Sequence, residues 1–306
     1  MLDLRRLRLL RELHERGTIA AVAEALRFTP SAVSQQLAML ERETGVRLLE
    51  RAGRGVRLTD PALVLVEHAG ALLQRAAVAE ADLAAATGTI TGRGRIAGFQ
   101  SVALRVALPA FAALARDAPG LRCELLEAEP EQALPALALG DLDLVLGDEW
   151  QHGPRRLAAG LERHDLLEDP VHLALPARHP AARRQRDAVP LAELADAIWV
   201  TGHAGMGWDE MTVRTCREHG GFDPDIRHRT NDANASLALV ARGLAVALLP
   251  KFAVPARQRG LALRAIAGTP AARSIFAVTR ATDAARPSTR AVLSAIRAAA
   301  DALPAA

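Results

Sequence analysis

Ser31, Ser34, Gln35 and Ala38 recur at helical spacing inside the stretch TPSAVSQQLAMLERETG (29–45), so one helix face carries them all. Hydroxyl and carboxamide groups on a face of small residues can hydrogen-bond base edges in a DNA major groove, and the small neighbours allow close approach. The same helix carries Val33, Leu37 and Leu40 on another stripe, which suits a core. Thr29 is a suitable N-cap, Pro30 fits the first turn where its missing N–H costs nothing, and Gly45 ends the helix. An ordinary amphipathic surface helix has the same pattern, so the surrounding elements must decide.

Two helices precede it. Leu4, Leu7, Leu10 and Leu13 form the apolar row of the first; Gly17 and Thr18 end it and cap the second, where Ile19, Val22, Ala23 and Leu26 repeat. Only RFTP separates the second helix from the third, and so short a connection makes the two cross sharply, as in a helix-turn-helix. Past Gly45, VRLLE and VRLTD flank the basic turn RAGRG, which reads as a small hairpin with Arg51, Arg54 and Arg57 placed to meet phosphates.

Charge follows the same division. Residues 1–59 hold 11 Arg against 7 Asp and Glu, whereas the remainder of the chain is near neutral within a net charge of +3. A compact basic head on a neutral body suits phosphate binding, although solvated surface charge has the same composition.

The run TIAAVAEALRFTPSAVSQQLAMLERETGVRLLERAGRGVRLTD resembles the winged helix-turn-helix of LysR-type transcriptional regulators over essentially the whole head. The resemblance implies that Pro30, Ser31, Ala32, Ser34 and Gln35 face bases or groove, that Arg54 is a wing-tip contact beside Arg51, and that Thr18 meets backbone phosphate. The chain departs from the family after the wing, where DPA (60–62) stands in place of a common Pro-Ala-Gly; this affects how the next helix starts.

From Pro61 to Thr87 the pattern predicts one long helix, ended by Gly88. Leu65, Ala69, Leu72, Ala76, Ala79 and Leu83 form a heptad seam, and a lone helix between domains offers nothing of its own to cover it, so a second copy of the chain is the expected partner. The resemblance also implies paired linker helices, and a homodimer or homotetramer.

Beyond about residue 93, apolar strand-like runs (RIAGF, LRCELLEA, LDLVLGD, PVHLALP, AIWVTG, LAVALLP, LALRAI, SIFAVTR) alternate with helical ones, which predicts an α/β fold with largely parallel sheets. The expected organisation is a winged helix-turn-helix at 1–59, a linker helix at 60–89, and two α/β lobes at 90–306. One lobe comprises about 90–163 with 267–306 and the other about 170–264, with crossings near 163–171 and 262–269. The resemblance implies that this part is a periplasmic-binding-protein-like effector domain. Ligands in such sheets sit beyond strand carboxyl ends, which nominates Gln100, Ser101, Asp148, Glu149, Thr201, Gly202, Asn231 and Asp232, with Trp150, Trp208 and His203 as further candidates. Helix capping alone also accounts for such residues at such positions.

Enzyme readings find little support. GHAGMG (202–207) satisfies neither dinucleotide nor P-loop spacing, the nine histidines contain no HExxH, no GxSxG is present, and EAEPEQ (127–132) reads as a solvated loop. No cofactor, metal or catalytic constellation is expected. Cys123 and Cys216 have no metal or redox spacing and read as idle thiols, with a redox sensor as the minor alternative. No apolar run spans a membrane and the arginine-studded N-terminus resembles no signal peptide, so the expected location is the cytoplasm. The reading is therefore a ligand-responsive, sequence-specific DNA-binding regulator whose partners are double-stranded DNA, a small-molecule effector, further copies of itself and, if it activates, RNA polymerase. The alternative is a solute-binding or enzymatic α/β protein with an N-terminal dimerisation module.

Overall fold

The computed structural model describes residues 2–52, 55–86, 90–150, 155–183, 188–255, 259–268 and 271–303. The chain divides into two compact units, Met1–Gly88 and Thr89–Ala306.

In the first unit, α1 (Leu4–Arg16) is followed by α2 (Ile19–Leu26) and α3 (Pro30–Thr44). Thr18 and Thr29 cap the last two, each hydroxyl accepting a backbone N–H three residues on at 3.2 Å. The turn between α2 and α3 passes through Arg27 at φ 56°, a left-handed conformation that stops α2 without a glycine. Strands β1 (Leu49–Ala52) and β2 (Gly55–Leu58) pair antiparallel, and α4 (Asp60–Ala86) follows. Leu7, Leu10 and Leu13 of α1 meet Val22 and Ala23 of α2 and Val33, Leu37 and Leu40 of α3 in one core.

The α4 seam divides. Ala69 is fully buried in the head core and Leu65 packs against it, because α1 lies along the first half of α4. The expectation that the chain offers this stripe no cover therefore fails for its first two positions. Leu72 (42%) and Leu83 (71%) are exposed, as is Ala79, while Ala76 is half-buried.

The second unit begins with β3 (Gly92–Gly98) and α5 (Gln100–Val102), which runs through a π-turn (Ala103–Ala107) into α6 (Leu108–Asp117). Next come β4 (Leu121–Glu127), α7 (Pro130–Leu139), β5 (Leu144–Trp150) and β6 (Leu161–Pro176). Then follow α8 (Pro180–Arg183), β7 (Ala188–Val189), β8 (Ile198–Thr201), α9 (Gly207–Thr215) and β9 (Asp225–Arg229). The chain continues with α10 (Ala233–Ala241), β10 (Ala247–Pro250), β11 (Leu261–Ile266), β12 (Ala272–Arg280) and α11 (Pro287–Asp301).

The principal sheet runs β4-β3-β5-β12-β6-β11-β7, with β10 also on β6. Strand β6 is the pivot of the topology. Its residues Leu161–Pro170 pair with β12, while Val171–Pro176 pair with β10 and β11. The segment expected to connect two lobes is thus part of one unbroken strand that serves both, and the second crossing follows Ile266 at the end of β11. The sheet is also mixed: β3 is parallel to β4 and β5, but β12 is antiparallel to β5 and β6, and β10 and β11 are antiparallel to β6. A chain that crosses out along β6 and returns along β12 must run in opposite senses, which excludes an all-parallel sheet. Separate apolar clusters cover the two faces of each half, one pair around Ile96, Leu146 and Phe276, the other around Leu173, Trp199 and Leu249.

Candidate functional site

On α3, Val33, Leu37 and Leu40 are at most 1% exposed, whereas Pro30, Ser31, Ser34, Gln35 and Ala38 are exposed and Ala32 is half-buried. A polar edge of the helix thus stands clear of the core. Thr18 is exposed at the start of α2 and Arg51 is exposed on β1; Arg54 lies outside the described residues. Arg57, the third basic residue of the hairpin, is ion-paired with Glu50 on the neighbouring strand. The hairpin is fixed to α3 by Glu41, whose carboxylate accepts the backbone N–H groups of Leu48 (2.8 Å) and Leu49 (3.0 Å). The start of the hairpin is thus tied to the helix that carries the polar edge, which suits groove and backbone contacts made together.

In the second unit a cavity of about 430 Å³ opens where the two halves of the sheet meet. Gln100, Ser101, Asp148, Asn231 and Asp232 line it, together with Trp150 and Trp208. The other candidates lie elsewhere. Glu149, next to Asp148 on β5, has the opposite orientation and accepts the Arg155 N–H (2.8 Å) and Arg163 Nη1 (2.7 Å) beside a second cavity. Alternation along a strand sends neighbouring side chains to opposite faces. Thr201 is fully buried, its hydroxyl donating to the Trp208 carbonyl (3.3 Å) and sharing a hydrogen bond with Thr212. Gly202 packs behind Asn231 and Trp208, and His203 is exposed outside the lining.

Composition gave little sign of the cavity's central charge. Arg273, on β12, donates to Asp169 from Nε (3.0 Å) and Nη2 (2.8 Å), to Asp148 from Nη1 (3.2 Å) and to Ser101 from Nη2 (2.7 Å). Its guanidinium carbon lies 4.9 Å from the Phe99 ring centroid and 5.7 Å from that of Trp150. Burial pushes the Asp148 and Asp169 carboxyls up from the usual range, and the Arg273 charge opposes the shift. An arginine immediately before the strand-like run SIFAVTR was the available sequence signal. Burial and the neighbouring Asp148 and Glu131 also raise the carboxyl of Glu129, at the head of α7, to about 7. Two further ties join the halves: the Ala233 N–H donates to Gln100 Oε1 (3.4 Å), and Arg105 donates to the carbonyls of Phe252 and Val254.

The glycine loop before α9 is not a phosphate cradle. Its Gly205 N–H is taken by Asp209 (3.0 Å) and the His203 N–H by Asn231 (3.0 Å), and Asp209 and Glu210 place negative charge in the first turn of α9. The thiols are also quiet. Cys216 is fully buried with its pKa pushed up to about 12, and desolvation raises half-buried Cys123 too; the two sit in different apolar clusters.

Comparison with known proteins agrees with this anatomy. Residues 4–63 match the family model described as the bacterial regulatory helix-turn-helix protein of the lysR family, and residues 87–301 match the LysR substrate binding domain. The HTH-type transcriptional regulator ShiR of Corynebacterium glutamicum is 32% identical over 241 residues, covering 74% of this chain and 79% of its own. A probable hydrogen peroxide-inducible genes activator of Mycobacterium avium is 30% identical over 241 residues, covering 79% and 75%. Among solved structures, a full-length OxyR variant from Pseudomonas aeruginosa superposes with a TM-score of 0.72 at 20% identity, over 99% of this chain and 95% of that one. Full-length CbnR complexed with its target DNA gives 0.58 at 24% identity, over 97% and 100%. The basic winged head and the cleft-bearing α/β unit, each matched by the model of its own domain, make this chain a member of the LysR family, a DNA-binding transcriptional regulator with an effector-binding domain.

Proposed function

We propose that the exposed edge of α3, Ser31, Ser34 and Gln35 with Pro30 and Ala32 beside them, enters the major groove of operator DNA while Thr18, Arg51 and Arg54 hold the backbone. The carrying observation is the division of α3 itself: its apolar stripe is spent on the head core, while on its exposed stripe Ser34 and Gln35 have no hydrogen bond among the described residues and Ser31 shares one with Thr29 alone. Crystallisation of the structural neighbour CbnR with target DNA supports the same use here. Copies of the chain pair through the exposed part of α4, with Leu72, Ala79 and Leu83 in the seam, so that two heads meet two half-sites. A small molecule in the cavity of the second unit, touching Gln100, Ser101, Asp148, Asn231 and Asp232, changes the balance between assembly geometries through its differential affinity for them. The regulator works in the cytoplasm, engaging RNA polymerase where it activates. A mobility-shift titration on the DNA upstream of its own gene and of the divergent gene tests this: specific retardation whose affinity falls steeply with salt is expected, and failure to retard either fragment at any salt concentration contradicts it.

A further inference from the structure

The cavity carries an imbalance of charge that points to what it holds. Glu127, Glu129, Glu131, Asp148 and Asp232 contribute to its lining, against Arg155 and Arg273. Both arginines are already engaged: Arg273 by Asp148, Asp169 and Ser101, Arg155 by Glu131 (2.9 Å) and the Asp148 carbonyl (3.3 Å). The donors at the start of α10 and in the loop before α9 are occupied as well. The Asp232 carboxylate takes the N–H groups of Asn234 and Ala235, Gln100 takes that of Ala233, and Asp209 takes that of Gly205. Glu129, by contrast, has no hydrogen bond or ion pair to its carboxylate among the described residues. Trp150 and Trp208 line the same cavity, the latter fixed by its indole N–H donating to the Leu248 carbonyl (2.8 Å). Gly207 lets the Trp150 ring pack against the start of α9, since a Cβ there would come within 2.8 Å of the ring.

We infer that the effector of this chain is a small organic cation, an ammonium or amidinium on an apolar or aromatic body, with its charge against Glu129 and Glu127 and its body between Trp150 and Trp208. The inference rests on the cleft being the effector site. An ammonium there supplies the counter-charge the protein withholds, in hydrogen bonds strengthened by ionisation, and an aromatic wall favours a cation or a flat ring. An anion would find the α10 donors and both arginines taken and would face the free carboxylate of Glu129.

Calorimetric titration of the full chain with tryptamine and with indole-3-acetate, which share a ring and differ in the sign of their charge, tests this. Tryptamine is expected to bind and indole-3-acetate not. Binding should tighten about tenfold between about pH 6 and about pH 8 as Glu129, which faces Glu127, Glu131, Asp148 and Arg273, loses its proton. Glu129→Gln should weaken binding about tenfold or more at the higher pH and abolish the pH response. Indole-3-acetate binding in place of tryptamine, weakened by Asn231→Ala, would overturn the ligand class and leave the cleft reading standing. Binding of either probe that neither Glu129→Gln nor Asn231→Ala alters would lie outside the cleft and overturn both readings. Silence from both probes at millimolar concentration also overturns the ligand class.

Discussion

Asp169 and Arg273 are 104 residues apart in sequence, yet the Arg273 guanidinium closes on one Asp169 oxygen with two hydrogen bonds, of 3.0 and 2.8 Å. The other Asp169 oxygen accepts the Phe252 N–H at 3.1 Å. The carboxylate is fully buried where β6 passes from one set of strand partners to the other, so this pair ties both crossing strands to the floor of the cleft.

Removing one partner of such a pair leaves a buried charge without compensation. Arg273→Ala is expected to destabilise the second unit by about 3–5 kcal/mol. Urea unfolding followed by tryptophan fluorescence reads this unit alone, because Trp150, Trp199 and Trp208 all belong to it. A loss below about 1 kcal/mol would show the pair to be dispensable.

Glu129 gives the unit a pH dependence of known sign. Its carboxyl is raised in the folded state from 4.5 to about 7, chiefly by burial and then by Asp148 and Glu131. The native state therefore holds a proton that the unfolded chain has released, and stability falls as pH rises through this window, then levels off above it. Glu129→Gln should remove this slope and leave the ligand-free protein more stable at alkaline pH, by at most about 3 kcal/mol. Parallel curves of melting temperature against pH for the two proteins would contradict the assignment.

Glu41 couples recognition to the hairpin, and its loss should be felt in both. Glu41→Ala strips the acceptor from two backbone N–H groups, at a cost of about 1–3 kcal/mol for the buried donor. Limited proteolysis should then cut near residues 46–58 faster than in the parent protein. Unchanged cleavage would mean that the strands hold themselves in place.

Neither thiol should behave as a peroxide sensor. Cys216, with its pKa pushed up to about 12, has almost no thiolate at neutral pH, and Cys123 is also raised. Cys216→Ser should leave any response to oxidant unchanged. Native mass spectrometry after mild peroxide treatment is expected to show both cysteines unmodified, and rapid sulfenylation of either would refute this.

How far the sequence could be read depends on whether the signal was local. The division of α3 was legible because a 3.6-residue period is written in consecutive residues, and the Thr18 and Thr29 caps, with Gly17 and Gly45, mark boundaries within a few positions. The strands RIAGF through SIFAVTR were legible for the same reason. What escaped depends on distant pairing. Residues 161–169 (LERHDLLED) are mostly charged and lack strand-like alternation, so only the presence of β12 alongside reveals them as a strand. The first half of the α4 seam was assigned outward because nothing in its own spacing reports α1 lying against it. Among the cleft candidates, Glu149 and Thr201 share strands with lining or core residues, and which face each side chain takes is set by sheet register, which strand-end reasoning does not include.

The most direct test of the central claim is a footprint of the parent protein and of Gln35→Ala on the operator found upstream of its gene. Gln35 is exposed and outside every core cluster, so the variant should keep its melting temperature. The account predicts that operator affinity falls about tenfold to a hundredfold, that discrimination relaxes at one base step in each half-site, and that weak salt-sensitive binding to unrelated DNA persists. An identical footprint and affinity for the two proteins would contradict it, since the edge of α3 would then not be what reads the sequence.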